Sequence, residues 1–328
     1  MRLVFCFSLF SIVFLACTRK TKSSMEAQWQ NVAVEAPVFS ADSAYLYVKS
    51  QVDFGPRVPN TPAHTACGDY FVSTLNRLGA QVIEQKVEVK NYAGLVLNAR
   101  NIIASYQPEN KERILLFAHW DSRPYADHDP DPSNHRTPID GANDGASGCG
   151  VLLEIARQLQ QKQPSVGVDL IFFDAEDWGV PSFETRDSEE SGYCLGSKHW
   201  SLHPHVENYT ARYGILLDMV GAPDATFYKE LYSKRYASRL LNRVWSAAQD
   251  LGFGAYFLNA DGGMIEDDHV PVIGNRNIPC IDIIHQNQSG DTGFGSFWHT
   301  LGDTMEVIDK NTLHAVGQTL LHVIYNEK

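Results

Sequence analysis

The residues able to do chemistry in this chain fall at recurring places. His119 and Asp121 directly follow the apolar run 113–118, and Asp174, Glu176 and Asp177 follow the run 168–173. Asp218 follows 214–217, and His285 follows a run ending at Ile284. Asp144 stands in Gly141-Ala142-Asn143-Asp144-Gly145-Ala146-Ser147-Gly148, a turn of small residues that lets backbone approach an ion closely. Imidazole and carboxylate are the ligands zinc takes when it must keep a position open, with three protein ligands and an exchangeable fourth. Asp144, Asp177 and His299 can complete such a set, leaving Glu176 beside the metal as a carboxylate of perturbed pKa, suited to moving a proton. Each residue alone has a plainer role: Asp144 as a helix cap, Glu176-Asp177 as a solvated loop, His299 as a hydrogen-bonded histidine. Their shared placement at strand ends favours the site. Neither HExxH nor GxSxG, the marks of other hydrolytic mechanisms, is present.

The elements that must position these residues alternate along the chain. Helices are predicted from Ser40 to residue 51, with Ser40 or Asp42 as cap, and from Pro62 to a stop at Gly79. Strand-like runs follow at 81–89, 99–106 and 113–118. Residues 146–160 place Val151, Leu152, Ile155, Ala156 and Leu159 on one stripe, the signature of a core-facing helix. Further strands are expected at 168–173, 214–217 and 279–284, with helices at 233–250 and 311–325. Apolar strands alternating with amphipathic helices predict a three-layer α/β/α sandwich around a mixed, mostly parallel sheet. In such sheets ligands bind beyond the carboxyl ends of the strands, where the acids and imidazoles fall.

The chain has 328 residues, 44% hydrophobic and 20% charged, enough for one large domain, expected over 39–328. A net charge of −12 argues against nucleic acid or an anionic lipid surface as partner. Met1-Arg2 and the short apolar stretch to Ala16 read as a signal peptide, 1–16. Phe14-Leu15-Ala16-Cys17 resembles a bacterial lipobox, with Phe14 in place of the usual aliphatic residue. A lipid on Cys17 and a flexible tether over 17–38 would then hold an exported protein to a membrane, facing the periplasm. Cys67, Cys149, Cys194 and Cys280 show no metal spacing and read as scattered buried thiols. Arg123 to Asp140, rich in Pro and Asp, reads as a solvated connection. The acidic stretch from Trp178 to Gly192 reads as part of the site's entrance, with Phe183 lining it.

His119-Trp120-Asp121-Ser122, the turn 141–148, Phe172-Phe173-Asp174-Ala175-Glu176-Asp177 and Leu217-Asp218-Met219 resemble the zinc aminopeptidase clan of peptidase family M28. The likeness runs from about residue 40 to the C-terminus. Three further segments resemble the glutaminyl-peptide cyclotransferases of that clan: 216–223, Ile265-Glu266-Asp267-Asp268-His269-Val270-Pro271, and Phe297-Trp298-His299-Thr300. Aminopeptidases of the clan typically carry Gly-Ser-Asp-His where this chain has Glu266-Asp267-Asp268-His269.

The resemblance implies zinc on Asp144, Asp177 and His299, Glu176 as general acid/base, Asp218 and Asp267 as its hydrogen-bonding partners, and Trp298 as a wall of the substrate pocket. One zinc ion is the family arrangement; His119 and Asp218 hold a second in two-metal aminopeptidases, so a second ion stays open. His119 is otherwise expected to support the site, oriented by Asp121. Animal cyclases have Glu at the position of Asp177, while Asp is found there in bacterial members. Ala118 stands where the animal proteins have the cysteine that pairs with the equivalent of Cys149, so that bridge cannot form. The implied activity converts an N-terminal glutamine of peptides or exported proteins to pyroglutamate with loss of ammonia. Zinc would polarise the γ-carbonyl and Glu176 shuttle the proton. An exported zinc aminopeptidase is the nearest alternative, and a lipid-anchored binding protein without activity the alternative of another class.

Overall fold

The computed structural model describes residues 34–185 and 191–327. The leader, Cys17 and most of the expected tether lie outside the described residues. Along the chain come α1 (Ala41–Val52), α2 (Pro62–Arg77), β1 (Gln81–Lys90), β2 (Val96–Tyr106), β3 (Arg113–His119), α3 (Ala146–Gln161), β4 (Gly167–Phe173) and α4 (Leu195–Leu202). Then follow β5 (Gly214–Asp218), β6 (Phe227–Lys229), α5 (Leu231–Asp250), β7 (Phe257–Asp261), α6 (His269–Arg276), β8 (Cys280–Ile284) and α7 (Lys310–Tyr325). The Ser40 side chain accepts the Ser43 N–H and starts α1; Thr61 does the same for α2 ahead of Pro62.

Six strands form one sheet in the order β1-β2-β4-β3-β5-β8. The pairs β3/β4, β3/β5 and β5/β8 are parallel, while β2 runs antiparallel to both β1 and β4. Alternate residues of the central strands feed two separate apolar layers. Ile114, Leu116, Val168, Leu170, Ile215 and Leu217 pack with α1, α2, α3, α5 and α7 on one face. Leu115, Phe117, Ile171, Phe173 and Leu216 pack against Trp200 of α4 and Val272 and Ile273 of α6 on the other. Burial of both faces is why these strands read as continuous apolar runs, and the sandwich is the one expected.

Two eight-residue helices, α4 and α6, and the two-stranded parallel pair β6/β7 were not anticipated. Residues 34–38, expected in the tether, are tied to the domain. The Val34 N–H donates to Asn326 Oδ1 at 2.8 Å, and the Pro37 carbonyl accepts from Gln318 at 3.1 Å. The compact unit accordingly begins at Val34.

Candidate metal and catalytic centre

Parallel registry sets the site. His119 at the end of β3 lies opposite Phe173 at the end of β4, and Asp218 of β5 lies opposite Ile284 of β8. The residues following these ends therefore emerge along one edge.

Asp144 reaches that edge from the loop before α3. It does not cap the helix: the cap position is Gly145, which makes no side-chain capping bond. Gly145 holds φ +89°, and a Cβ there would stand 2.6 Å from the Asp121 carbonyl oxygen, so only glycine fits. Freed from capping, Asp144 meets Asp177 and His299. His299 Nε2 lies 3.5 Å from Asp144 Oδ2 and 3.3 Å from Asp177 Oδ1, with all three residues buried. Tetrahedral zinc with bonds of about 2.0–2.2 Å would set neighbouring donors about 3.3–3.5 Å apart. Asp177 Oδ2 is buried without a hydrogen-bond partner, as a carboxylate awaiting a cation would be. The donor set and its spacing fit zinc.

The stretch 123–140 is not a solvated connection throughout. Arg123 and Asp127 are buried, their guanidinium and carboxylate joined at 2.7 and 2.9 Å. The same Arg123 stands 3.1 Å from Asp177 Oδ1, and Asp127 Oδ1 stands 3.5 Å from His299 Nδ1. Cancelled charge explains why an Asp-rich segment can go inside. Burial opposes ionisation of Asp177, yet His299 and Arg123 outweigh it and hold its pKa down. Asp144, lacking a guanidinium, is pushed up to about 6 by burial and by the Asp177 charge.

Glu176 lies beside this triad and borders a cavity of about 490 Å³. The Asp121 carboxylate accepts the backbone N–H groups of Glu176 and Asp177 at 3.0 and 3.2 Å, so its main task is to fix that dipeptide. Burial, then the nearby charge of Asp267, raises the Glu176 pKa well above the carboxylate range, which keeps it competent to carry a proton. Asp267 shares the cavity and is itself raised well above its ordinary value by burial and by Asp218. That environment favours the protonated form of Asp267.

His119 Nε2 stands 3.1 Å from Asp144 Oδ1 and 3.2 Å from Asp218 Oδ1. Its Nδ1 is 3.5 Å from Asp121, beyond good hydrogen-bond range. Burial disfavours its charged form, but the surrounding carboxylates of Asp121, Asp144 and Asp218 raise its pKa well above the usual histidine value.

Trp298 stacks on His299 with ring centroids 3.7 Å apart and lines the cavity beside Phe294, Met264 and Tyr193. Phe183, expected at the entrance, is not among the cavity-lining residues. It packs on Tyr125, His135 and Arg136 instead. His285 also stays out of the cavity; burial holds its pKa down to about 4.

Several supporting residues had no reading in the sequence. Arg57, buried, donates to the carbonyls of Trp120, Asp140 and Gly141 and so clamps the Asp144 loop. Asn143 Oδ1 and Ser147 Oγ accept the N–H groups of Gly221 and Val220, binding that loop to the segment after Asp218. The i, i+4 spacing of Arg123 and Asp127 was a usable signal; for Arg57 there was none.

The fold and this edge define a zinc-peptidase type of protein, and a model of peptidase family M28 matches residues 101–324. The chain belongs to that family, as its motifs suggested. Among solved structures, it is 61% identical to a Zn-dependent exopeptidase from Parabacteroides distasonis, with a TM-score of 0.88 over 89% of this chain and 100% of that one. It is 57% identical to Tannerella forsythia glutaminyl cyclase, again with a TM-score of 0.88, covering 89% of this chain and 100% of the other. The glutaminyl-peptide cyclotransferase of Bos taurus is 28% identical over 289 residues, 80% of this chain and 76% of the bovine one.

Proposed function

We propose that this chain is a glutaminyl-peptide cyclotransferase, converting an N-terminal glutamine of peptides or proteins to pyroglutamate and releasing ammonia. The observation that carries the reading is the pairing of Glu176 with Asp267 in one cavity beside the Asp144–Asp177–His299 triad. The similarity to glutaminyl cyclases supports it.

Asp144, Asp177 and His299 would hold a zinc ion, whose chemistry when bound is Lewis-acid activation of the γ-carbonyl. Glu176 accepts a proton from the α-amine as that amine attacks the γ-carbon. It then gives the proton to the departing amide nitrogen, so that ammonia leaves and the lactam closes. Asp218 and Asp267 supply hydrogen-bonding partners for the two nitrogens, one as carboxylate and one as acid. Trp298 forms the wall against which the glutamine side chain folds. Attack is intramolecular, so holding the substrate bent supplies much of the rate.

We read the site as holding one ion, with the raised His119 imidazole donating to Asp144 and Asp218 where a second would sit. Metal analysis giving two zinc ions per chain would overturn that point. A second reading, zinc exopeptidase, is favoured by the His119–Asp144–Asp218 cluster and by the Parabacteroides relative. One experiment separates the two. The zinc-loaded protein is given a peptide beginning with Gln and one beginning with Leu. Ammonia release at unchanged chain length marks cyclisation, and free leucine without lactam marks hydrolysis.

We also infer that residues 1–16 are removed and that Cys17 carries a lipid anchoring the exported protein, facing the periplasm. Cys17→Ser should move the protein from the membrane fraction to the soluble one. An unchanged membrane fraction would remove the anchor from the account.

A further inference from the structure

Glu176 needs a fixed direction, because a carboxylate that carries a proton between two nitrogens must point at both. Its carboxylate oxygen Oε1 accepts a hydrogen bond from the Cys194 thiol at 3.2 Å. Among the described residues that thiol is the one hydrogen-bond donor to this carboxylate. Cys194 is wholly buried and does not line the cavity that Glu176 borders, so the thiol reaches Glu176 from the protein side.

The backbone is built around this contact. The Cys194 N–H donates to the Glu176 carbonyl at 2.9 Å and the Leu195 N–H to the Ala175 carbonyl at 3.0 Å, clamping the two segments together. Both Ala175 and Cys194 sit in the left-handed region, at φ +53° and +61°. Among the described residues nine non-glycine residues have positive φ, and four are Asn or Asp, which tolerate it. Of the other five (Gln107, Ala175, Cys194, Met219 and His299), all but Gln107 lie in the site or adjoin its residues. Strain gathered in this way accompanies function more often than packing. Cys194 occupies the cap position of α4 yet makes no capping bond, so its side chain serves Glu176 and not the helix. Burial raises the thiol's pKa well above its ordinary value, which keeps it an S–H donor. A thiol is a weak donor, enough to select a direction without neutralising the carboxylate.

We propose that Cys194 is the positioning residue of the proton carrier, its thiol holding Glu176 Oε1 from behind so that Oε2 is left for the substrate. The inference rests on Glu176 being that carrier, as under the proposed function.

The test compares zinc-loaded wild type, Cys194→Ala and Cys194→Ser on a Gln-initiated peptide, with zinc content and melting temperature measured for each. A misdirected acid/base group should lower kcat of Cys194→Ala by about 5- to 100-fold, with KM within about twofold. Cys194→Ser, which keeps a donor, should recover kcat to within about threefold of wild type. Wild-type kcat in Cys194→Ala would overturn the proposal, as would a Ser variant as slow as the Ala variant. A loss matched by lost zinc or a fallen melting temperature would equally overturn it, by making the role structural. Wild type that fails to cyclise the Gln peptide counts against the proposed function alone. The three proteins are then compared on the Leu-initiated peptide, where Glu176 would move the proton in hydrolysis and the same outcomes decide.

Discussion

Asp303 Oδ2 accepts the backbone N–H of Asp144 at 3.0 Å, across 159 residues of chain. Its other oxygen accepts the Asn143 N–H at 2.7 Å, so one buried carboxylate fixes the turn that delivers a metal ligand. Asp303→Ala would leave both N–H groups buried without an acceptor and loosen the turn. Groups that orient ligands in this way contribute about 10- to 100-fold to metal affinity, and a loss of that size is expected here. Competition with a chromogenic chelator measures it, and unchanged affinity would show that Arg57, Asn143 and Ser147 hold the loop without Asp303.

Glu176→Gln keeps the shape of the side chain and removes its basicity. Turnover should fall by about 10²- to 10⁴-fold, the usual worth of a positioned acid/base group. Zinc content should stay at the wild-type level, because Asp144, Asp177 and His299 converge without Glu176. Zinc loss in this variant would show that base and ligand have been exchanged in the assignment.

Much of this centre was legible because the parallel sheet turns strand ends into one edge. His119, Glu176, Asp177 and Asp218 announce themselves by following apolar runs. Asp303 announces nothing: its partners are backbone N–H groups far away in sequence, and any acidic residue in a loop looks the same. Arg123 and Asp127 were misread because Pro and Asp in quantity suggest solvent, whereas a matched guanidinium and carboxylate can be buried together. The helices α4 and α6 are eight residues each, too short for an amphipathic period to stand out, and α6 carries Pro271 and Gly274 within it. Cys194 was read correctly as a buried thiol, but its contact with Glu176 depends on a left-handed backbone that sequence does not display.

The buried acids predict an unusual response to pH. Asp144 is raised to about 6, and Asp268 and Asp303 to about 7, each chiefly by burial. Their unfolded values lie near 3.9, so the folded chain binds more protons than the unfolded one between about pH 4 and 7. Their contribution to stability is fully present below about pH 4 and is lost as pH rises through 6 to 7. His285, held down to about 4, and His128, His199 and His205, also held down by burial, work in the opposite sense. Glu176, Asp267 and Asp282, however, are raised well above their ordinary values and add to the trend. The lowered acids Asp127, Asp177 and Glu230 act only below about pH 4. Metal-free protein should therefore melt at a higher temperature at pH 5 than at pH 8. Zinc requires Asp144 ionised, so the gain in melting temperature on adding zinc should widen from pH 5 to 8. Calorimetry of the metal-free and zinc-loaded forms reads both trends, and a metal-free protein most stable at pH 8 would contradict the buried-acid account.

Trp298 tests whether the cavity wall binds substrate or merely braces the metal. Its ring lies against His299 and also against Phe294, at centroid distances of 3.7 and 4.8 Å. Removing a large apolar surface from a binding site forfeits about 1.5–3 kcal/mol, or a factor of about 10 to 100 in affinity. Trp298→Ala should raise KM for a Gln-initiated peptide by that factor, while Trp298→Phe, which keeps a ring over His299, should lose much less. Zinc affinity separates the two roles: a wall residue leaves it near wild type, whereas a brace for His299 lowers it together with kcat. The His299 main chain is anchored apart from Trp298, its carbonyl accepting the His128 N–H at 3.1 Å, so the expected result is a KM effect with zinc retained. If zinc is lost from the alanine variant, Trp298 belongs to the metal's support and the cavity wall must be assigned to Phe294 and Tyr193.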